Sequence, residues 1–196
     1  MLREIDNGQI TPDKLKSSRD LVPLVCDGCA GCSSCCRERG SVVLLDEYDM
    51  RLLKEYFHAS FQELLQNGYV GLSVIDGVVL PHLCVKPKAD ECVFLGKEGR
   101  CLVYNARPGI CRMFPLARIY AEDGSFSYFL QEGECAAAKK AKTRISRWLG
   151  YENIKEYEFS VRKYHDALTE LREKCASASA EEAAQLQTDF LKEHFE

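Results

Sequence analysis

The segment from Cys26 to Cys36 constrains this chain more than any other. It reads Cys-Asp-Gly-Cys-Ala-Gly-Cys-Ser-Ser-Cys-Cys, so four thiols follow one another at intervals of three residues and a vicinal pair closes the series. Cysteines separated by two residues let one tight turn direct both sulfurs at the same ion. The intervening residues are small or turn-forming, as a loop wrapped around a metal requires. The spacing therefore predicts a metal site.

The vicinal pair Cys35-Cys36 indicates more than one simple centre. Neighbouring side chains of an extended backbone point apart and do not readily converge on one tetrahedral ion. We therefore expect two metal centres, or one multi-metal cluster together with a packed thiol.

More cysteines follow in a second turn-rich stretch and after a later hairpin. Two four-thiolate centres would use eight ligands out of ten candidates. Cys175 lies in a helical stretch without a neighbouring thiol, and we expect it to be a small buried or surface residue rather than a ligand. The candidate ligands are Cys26, Cys29, Cys32, Cys35, Cys36, Cys84, Cys92, Cys101, Cys111 and Cys135.

Spacing alone leaves the metal open between iron and zinc. Three thiols in a Cys-x-x-Cys-x-x-Cys run with a remote fourth are typical of a four-iron cluster, whereas zinc sites more often take two pairs from separate hairpins. We predict one or two 4Fe-4S iron–sulfur clusters, with zinc as the alternative. Arg107 and Arg112 flank Cys111 and are predicted to offset the negative charge of the bound cofactor. The alternative for both arginines is ordinary surface charge.

Composition narrows the class of protein and its partners. A net charge of -4 over 196 residues argues against a general nucleic-acid coat, which needs an excess of Lys and Arg. The sequence has no apolar signal core and no stretch of roughly 20 apolar residues, so we expect no membrane partner and a cytoplasmic location. Eleven cysteines, an odd number, argue against a secreted disulfide framework and for free or metal-bound thiols.

Local patterns predict an α+β fold with short hairpins. Asp46 is predicted to cap one helix and Ser60 a second one, while Asp76-Gly77 and residues 122–125 are turn signals between strands. From Ala136 onward the composition predicts helix, broken near residues 150 and 177–179. We expect a cysteine-cluster metal-binding domain over residues 1–135 and a helical C-terminal extension over residues 136–196 that packs on it.

Two minor features have competing interpretations. The basic run is interpreted as the solvated face of an amphipathic helix, the alternative being a surface for nucleic acid or an acidic partner. His58 is interpreted as a surface or capping residue at a helix junction, whereas His82, close to Cys84, is an occasional metal ligand at most. The basic run comprises Lys139, Lys140, Lys142, Arg144 and Arg147.

Three motifs together resemble a known family. They are Cys29-x-x-Cys32-x-x-Cys35-Cys36, then Cys92-Val-Phe-Leu, and then Cys101-Leu-Val-Tyr-Asn-Ala-Arg-Pro-Gly-Ile-Cys111-Arg-Met-Phe-Pro. In this order and spacing they resemble the YkgJ-type cysteine-cluster proteins, described as a zinc- or iron-chelating domain. That family is similar to the cysteine-cluster part of flagellin lysine N-methylases. The resemblance extends over residues 29–115.

The resemblance implies which thiols chelate the metal. It assigns this role to Cys29, Cys32, Cys35, Cys36, Cys92, Cys101 and Cys111, with Cys135 as an eighth ligand, whereas Cys26 and Cys84 lie outside the pattern. The methylase activity does not carry over, because the chain has no glycine-rich turn for S-adenosylmethionine. A radical mechanism would use a Cys-x-x-x-Cys-x-x-Cys loop. Cys32 and Cys36 have the first spacing of this loop, but Arg39 occupies the position of its third cysteine.

Two functional hypotheses follow. The first is a cytoplasmic protein whose iron–sulfur clusters serve electron transfer, redox sensing or metal handling, with metal ions and a protein redox partner as partners. The second is a zinc-stapled structural or adaptor module that binds a protein or nucleic acid. We assign no catalytic residue and leave enzymatic activity open, because no Ser/His/Asp arrangement and no His pair at ligand spacing is present.

Overall fold

Short antiparallel sheets and helices alternate along the chain, giving the α+β fold that the sequence predicts. The computed structural model describes residues 10–24, 33–37, 43–135 and 141–196. The strands are β1 Leu21–Pro23, β2 Val43–Leu44, β3 Val70–Ile75, β4 Val78–Leu83, β5 Leu116–Tyr120, β6 Phe126–Leu130 and β7 Lys142–Arg144. The helices are α1 Glu47–Phe57, α2 Phe61–Gln66, α3 Gly109–Met113, α4 Ile145–Leu149, α5 Ile154–Ser177 and α6 Ala180–Phe195.

The described strands form three small sheets. β2, β4 and β3 lie side by side in that order, β5 pairs with β6, and β1 pairs with β7, all antiparallel. The β3–β4 turn has Asp76 at φ 49° and Gly77 at φ 81°. Two positive φ angles are what a tight two-residue hairpin turn demands, which confirms the prediction made from Asp76-Gly77.

Helix starts follow the capping signals of the sequence. The Asp46 side chain accepts a hydrogen bond from Asp49 N at 2.8 Å, and the Ser60 and Glu63 side chains form a reciprocal capping box at α2. α1 ends at His58, which adopts the left-handed conformation at φ 49°. His58 is therefore a capping residue at the junction, as predicted.

One prediction for the C-terminal part is wrong. Residues Lys142–Arg144 form a strand rather than helix, because they pair with Leu21–Pro23 from the start of the described chain. Lys142 and Arg144 therefore do not share an amphipathic helix with Arg147, which lies on α4, while Lys139 and Lys140 lie outside the described residues. A distant partner strand has overridden the local helical composition.

Two apolar clusters hold the sheets and helices together. The larger one joins α1, α2 and the β3–β4 hairpin to α5 and α6, and it includes buried Phe94 and Cys92 from the cysteine-rich stretch. The smaller one joins β1 and α4 to buried Met113 and Tyr128. The C-terminal helices therefore complete the core that supports the cysteine-rich loops. No helix in the described part of the chain is long and apolar enough to cross a membrane.

The short helix α3, which carries Cys111, is held at its first residue. Gly109 N donates a hydrogen bond of 2.7 Å to Asp49 Oδ1, a carboxylate that is only 2% exposed. A Cβ at Gly109 would collide with the hydroxyl of buried Tyr157 on α5. Glycine is therefore needed at this position because α3 packs closely against α5.

We expect Gly109→Ala to lower the free energy of unfolding by about 1 to 3 kcal/mol, because the added methyl group overpacks this contact. In a Tyr157→Phe background, which lacks the colliding hydroxyl, the same substitution should cost clearly less. A double-mutant cycle in urea measures the coupling. Equal costs in both backgrounds would show that the contact does not restrict residue 109.

The buried Asp49 predicts a pH-dependent stability. Burial, followed by the nearby Asp46 carboxylate, raises the pKa of Asp49 well above its ordinary value. An acid with a raised pKa in the folded state binds its proton more tightly there than in the unfolded chain. The stability that this proton contributes is fully present below about pH 4 and is lost as pH rises through the raised pKa of Asp49.

Asp49→Asn removes this titration and keeps an oxygen that can accept from Gly109 N. The melting temperature of the variant relative to wild type should therefore increase as pH rises from about 5 to 9. Thermal melts of both proteins across that range measure it. A constant difference across the range would contradict the buried-acid interpretation.

Candidate metal centre

Main-chain hydrogen bonds bring three cysteine-bearing segments together. Cys92 N donates to Cys36 O at 2.9 Å, and Val93 N donates to Cys84 O at 3.0 Å. Val85 and Cys92 also form an antiparallel bridge. The turn containing Cys35 and Cys36 is thereby attached to a segment more than fifty residues further along the chain.

Cys101 joins the same network one turn later. Leu95 and Cys101 form an antiparallel bridge, and Leu102 N donates to Phe94 O at 2.8 Å. The stretch from residue 84 to residue 102 is thus a series of tight turns whose backbone groups bond to one another. These turns and residues 33–37 form what we call the cysteine frame.

A charged strap reinforces the cysteine frame. Glu91 accepts hydrogen bonds from Arg37 and from Lys86 Nζ, the latter at 3.5 Å, and Arg37 Nε also donates to Ser33 Oγ at 3.0 Å. Arg37 and Glu91 are bridge partners along the backbone as well. The strap fixes two cations that are neighbours of Cys36 and Cys84 in the sequence, and positive charge near a thiolate centre offsets its negative charge.

The thiols of the cysteine frame face partly away from water. Cys92 is 7% exposed, and Cys36 and Cys101 pack against the larger apolar cluster, as does Cys111 on α3 outside the frame. Burial raises the pKa of the Cys84 thiol. A metal that binds this thiol must therefore displace its proton, so that metal affinity falls as pH is lowered.

The complete set of metal ligands remains a prediction from the sequence. Cys26, Cys29 and Cys32 lie outside the described residues. Within residues 10–24, 33–37, 43–135 and 141–196, no three His, Cys, Asp or Glu side chains are grouped so that they could hold an ion. Cys111 lies on α3, and Cys135 lies half-buried beyond β6. The structure thus supplies the frame around Cys36, Cys84, Cys92 and Cys101.

Arg107 and Arg112 hold the turn that precedes and includes α3. Arg107 Nε donates to Tyr104 O at 3.1 Å, and its guanidinium carbon lies 3.8 Å from the centre of the Tyr104 ring. Arg112 Nε donates to Arg107 O at 2.9 Å, and its Nη2 donates to Asn105 O. A guanidinium has five N–H donors, so these bonds leave capacity for the predicted role beside a cofactor.

His82 and Cys175 have other partners. His82 Nε2 lies 3.0 Å from Ser73 Oγ and its Nδ1 lies 3.0 Å from Leu83 O, so that both ring nitrogens are in hydrogen-bonding contacts. Cys175 packs against the larger apolar cluster, and its sulfur lies 3.9 Å from Ala183 O. Cys175 is therefore a half-buried residue packed on the core, one of the two placements that the sequence left open.

Sequence reasoning did not identify Glu91 and Asp49. Each acts through a partner that is distant along the chain: Glu91 through Arg37, and Asp49 through Gly109. Asp49 carried a weak signal, because it stands three residues after the capping Asp46. Glu91 carried none beyond its place next to Cys92.

Tight turns that bring partly buried cysteines together within an α+β fold are typical of cysteine-rich metal-binding domains. A family model described as "CxxCxxCC: Putative zinc- or iron-chelating domain" matches residues 26–141, which is more than half of the 196-residue chain. The chain therefore belongs to this family, and the predicted family resemblance is confirmed. No curated protein and no solved structure shows a significant match to the chain.

The strap predicts a local change in backbone protection. Glu91→Gln removes the charge that pairs with Arg37 and Lys86, and partly exposed ion pairs of this kind contribute up to about 1 kcal/mol. Amide hydrogen exchange at Cys92, whose N–H bonds to Cys36, should become roughly fivefold faster. Asp90→Asn is the matched control, since Asp90 is the exposed neighbour of Glu91, and it should leave exchange unchanged. Equal exchange rates of the Cys92 amide in the Glu91→Gln and Asp90→Asn variants would show that the strap does not protect this hydrogen bond.

Proposed function

We propose that the cysteines of residues 26–135 chelate one or two 4Fe-4S clusters. The ligands are drawn from the ten candidates, which comprise Cys26, Cys29, Cys32, Cys35, Cys36, Cys84, Cys92, Cys101, Cys111 and Cys135. Arg107 and Arg112 offset the negative charge of the clusters. The bound cluster supplies one-electron chemistry, and the protein positions it and tunes its potential through nearby charge and burial.

A single observation carries the proposal. Cys36, Cys84, Cys92 and Cys101 are spread over sixty-five residues, yet main-chain bonds place their segments in one cysteine frame. The strap residues Arg37 and Lys86, which both pair with Glu91, lie within two residues of Cys36 and Cys84 in the sequence. Soft sulfur donors together with neighbouring cations match the needs of an iron–sulfur cluster and also of zinc.

The Cys-x-x-Cys-x-x-Cys run favours iron over zinc, because three cysteines at this spacing commonly ligate a four-iron cluster. An iron–sulfur protein of this size in a reducing cytoplasm serves electron transfer, redox sensing or metal handling, with a protein redox partner. The zinc form would instead be a structural or adaptor module. We further propose that residues 136–196 form an extension that braces the cluster domain through α5 and α6.

The metal is identified by its colour and by elemental analysis. Protein purified without oxygen should be brown, absorb near about 400 nm and contain iron and acid-labile sulfide, as expected for four-iron clusters. A colourless preparation with stoichiometric zinc would reject the iron–sulfur assignment and favour the adaptor role. A preparation without bound metal would reject chelation altogether.

Ligand variants test which thiols chelate. Cys36→Ser and Cys101→Ser each remove one predicted ligand and should lower the metal content of the purified protein at least about tenfold, or halve it if two centres bind independently. Cys175→Ser is the matched control, because this thiol is also half-buried against the core and should leave the metal content unchanged. Full metal content in the Cys36 and Cys101 variants would exclude both residues as ligands.

Metal removal should unfold the cysteine frame. Irregular turns whose side chains ligate a metal are ordered by that metal, so chelation should abolish amide protection at residues 84–102. α5 and α6, which pack in the larger apolar cluster, should keep theirs. A cooperative melt that is identical before and after chelation would contradict this dependence.

A further inference from the structure

Three basic side chains line one shallow depression at the junction of β7 and α4. The depression has a volume of about 530 Å³ and opens to solvent, and its basic lining residues are Lys142, Arg144 and Arg147. Lys142 and Arg144 stand two residues apart on β7, so their side chains lie on the same face of the strand. Arg147 belongs to the turn of α4 that follows. We call this surface the basic depression.

The basic side chains of this surface are not neutralised within the part of the chain that the structure describes. All three are exposed, and the ion pairs found there include none of them. Glu152 is the acidic residue of the lining, so three positive charges face one negative charge. The nearby Asp20 carboxylate accepts hydrogen bonds from Ser17 N and Ser17 Oγ. The basic depression is therefore a local excess of positive charge in a chain whose net charge is -4.

Apolar side chains stand among these cations. In the β1–β7 pair Leu21 lies opposite Arg144, and Pro23 lies opposite Lys142. Residues directly opposite each other share one face of a sheet, so apolar and basic groups alternate on this face. Leu21 is 57% exposed, and Pro23 is exposed as well. Exposed apolar groups within a polar, charged rim are typical of a protein–protein interface.

The basic depression is attached to segments that carry predicted metal ligands. Trp148 Nε1 on α4 donates a hydrogen bond of 3.2 Å to Met113 O at the end of α3, the helix that carries Cys111. Tyr151, which lines the depression, has its ring centre 4.9 Å from the guanidinium carbon of Arg112 on α3. β1 leads into the first cysteine-rich loop of the sequence. A protein docked here would therefore lie close to the cysteine-rich part of the chain.

We propose that the basic depression docks the acidic face of a protein partner. Positive charge on one surface and carboxylates on the other attract each other over one Debye length, about 8 Å at physiological ionic strength, and raise the association rate. Such contacts suit a transient complex that buries less than about 1,200 Å², the size class of weak redox encounters. The identification of this partner as the protein that exchanges electrons with the cluster rests on the proposed function.

A nucleic acid fits this surface less well. Binding of single strands relies on aromatic side chains that stack with bases. The aromatic residue of the lining, Tyr151, already stacks on Tyr157 with ring centres 3.9 Å apart, and its hydroxyl is buried. The net charge of -4 further opposes the approach of a long polyanion. An acidic protein that presents a few carboxylates is therefore the favoured partner.

The experiment uses the full chain as purified, with its metal. A short fluorescent peptide rich in Glu, with Leu interspersed, is titrated by fluorescence anisotropy. The same peptide with Lys in place of Glu, and an oligodeoxythymidine with the net charge of the acidic peptide, serve as comparison probes. We expect saturable binding of the acidic peptide with a Kd of about 100 µM or tighter at about 20 mM salt, and at least tenfold weaker binding at about 200 mM salt. Absence of saturable binding at low salt, or equal affinity for either comparison probe, would overturn the proposal.

Variants identify the surface. Arg144→Glu and Arg147→Glu each reverse one charge of the basic depression and should weaken binding of the acidic peptide at least about fivefold. Lys163→Glu is the matched control, because Lys163 is an exposed cation on α5 outside the depression, and it should leave the affinity unchanged. If Arg144→Glu does not fold, Arg147→Glu decides the test. Unchanged affinity in the folded depression variants, or an equal loss in Lys163→Glu, would overturn the proposal.

The metal content of each variant is determined beside the peptide binding. Both depression variants should keep the metal content of the wild type. Loss of metal in both would show that these cations offset the charge of the cofactor instead, and would overturn the docking role. A protein that proves to contain zinc instead of iron can still bind the peptide, and failure of peptide binding leaves the proposed cluster intact.

Discussion

The hydrogen bond from Cys92 N to Cys36 O is the contact on which the cysteine frame depends. It joins the end of the first cysteine-rich loop to a second stretch that begins near Cys84, and closing such a long loop costs conformational entropy. The Arg37–Glu91 pair and the packing of Cys92 in the larger apolar cluster help to offset that cost. The proposed metal would contribute the remainder, because its ligands come from both sides of the same contact.

Helices α5 and α6 pack against the same apolar cluster as the cysteine frame. Tyr164 and Leu168 on α5 and Phe190 on α6 belong to the same apolar cluster as Phe94 and Cys92. The cysteine-rich turns contribute buried Phe94 and Leu95 to this cluster, and the helices supply the surface against which these side chains pack. The turns are thus stabilised by a conventional core, and the proposed metal would add to that stability through the sulfur ligands.

α3 is positioned by contacts with helices that precede and follow it in the chain. It carries Cys111, and its first residue bonds to buried Asp49 on α1 and packs closely against Tyr157 on α5. A helix of five residues has little stability by itself, so its position is set by these contacts. Asp49 therefore has a structural role that reaches from the start of α1 to the neighbourhood of a predicted metal ligand.

The sequence by itself determined the local elements and the family. Capping at Asp46 and Ser60, the Asp76-Gly77 hairpin and the cysteine spacing all act over a few residues, so their physics can be read from the chain directly. Only the tertiary structure decided that Lys142–Arg144 is a strand, that Glu91 pairs with Arg37, and that Asp49 bonds to Gly109. Each of these depends on partners far away in sequence, and neither local propensity nor spacing encodes which distant groups will meet.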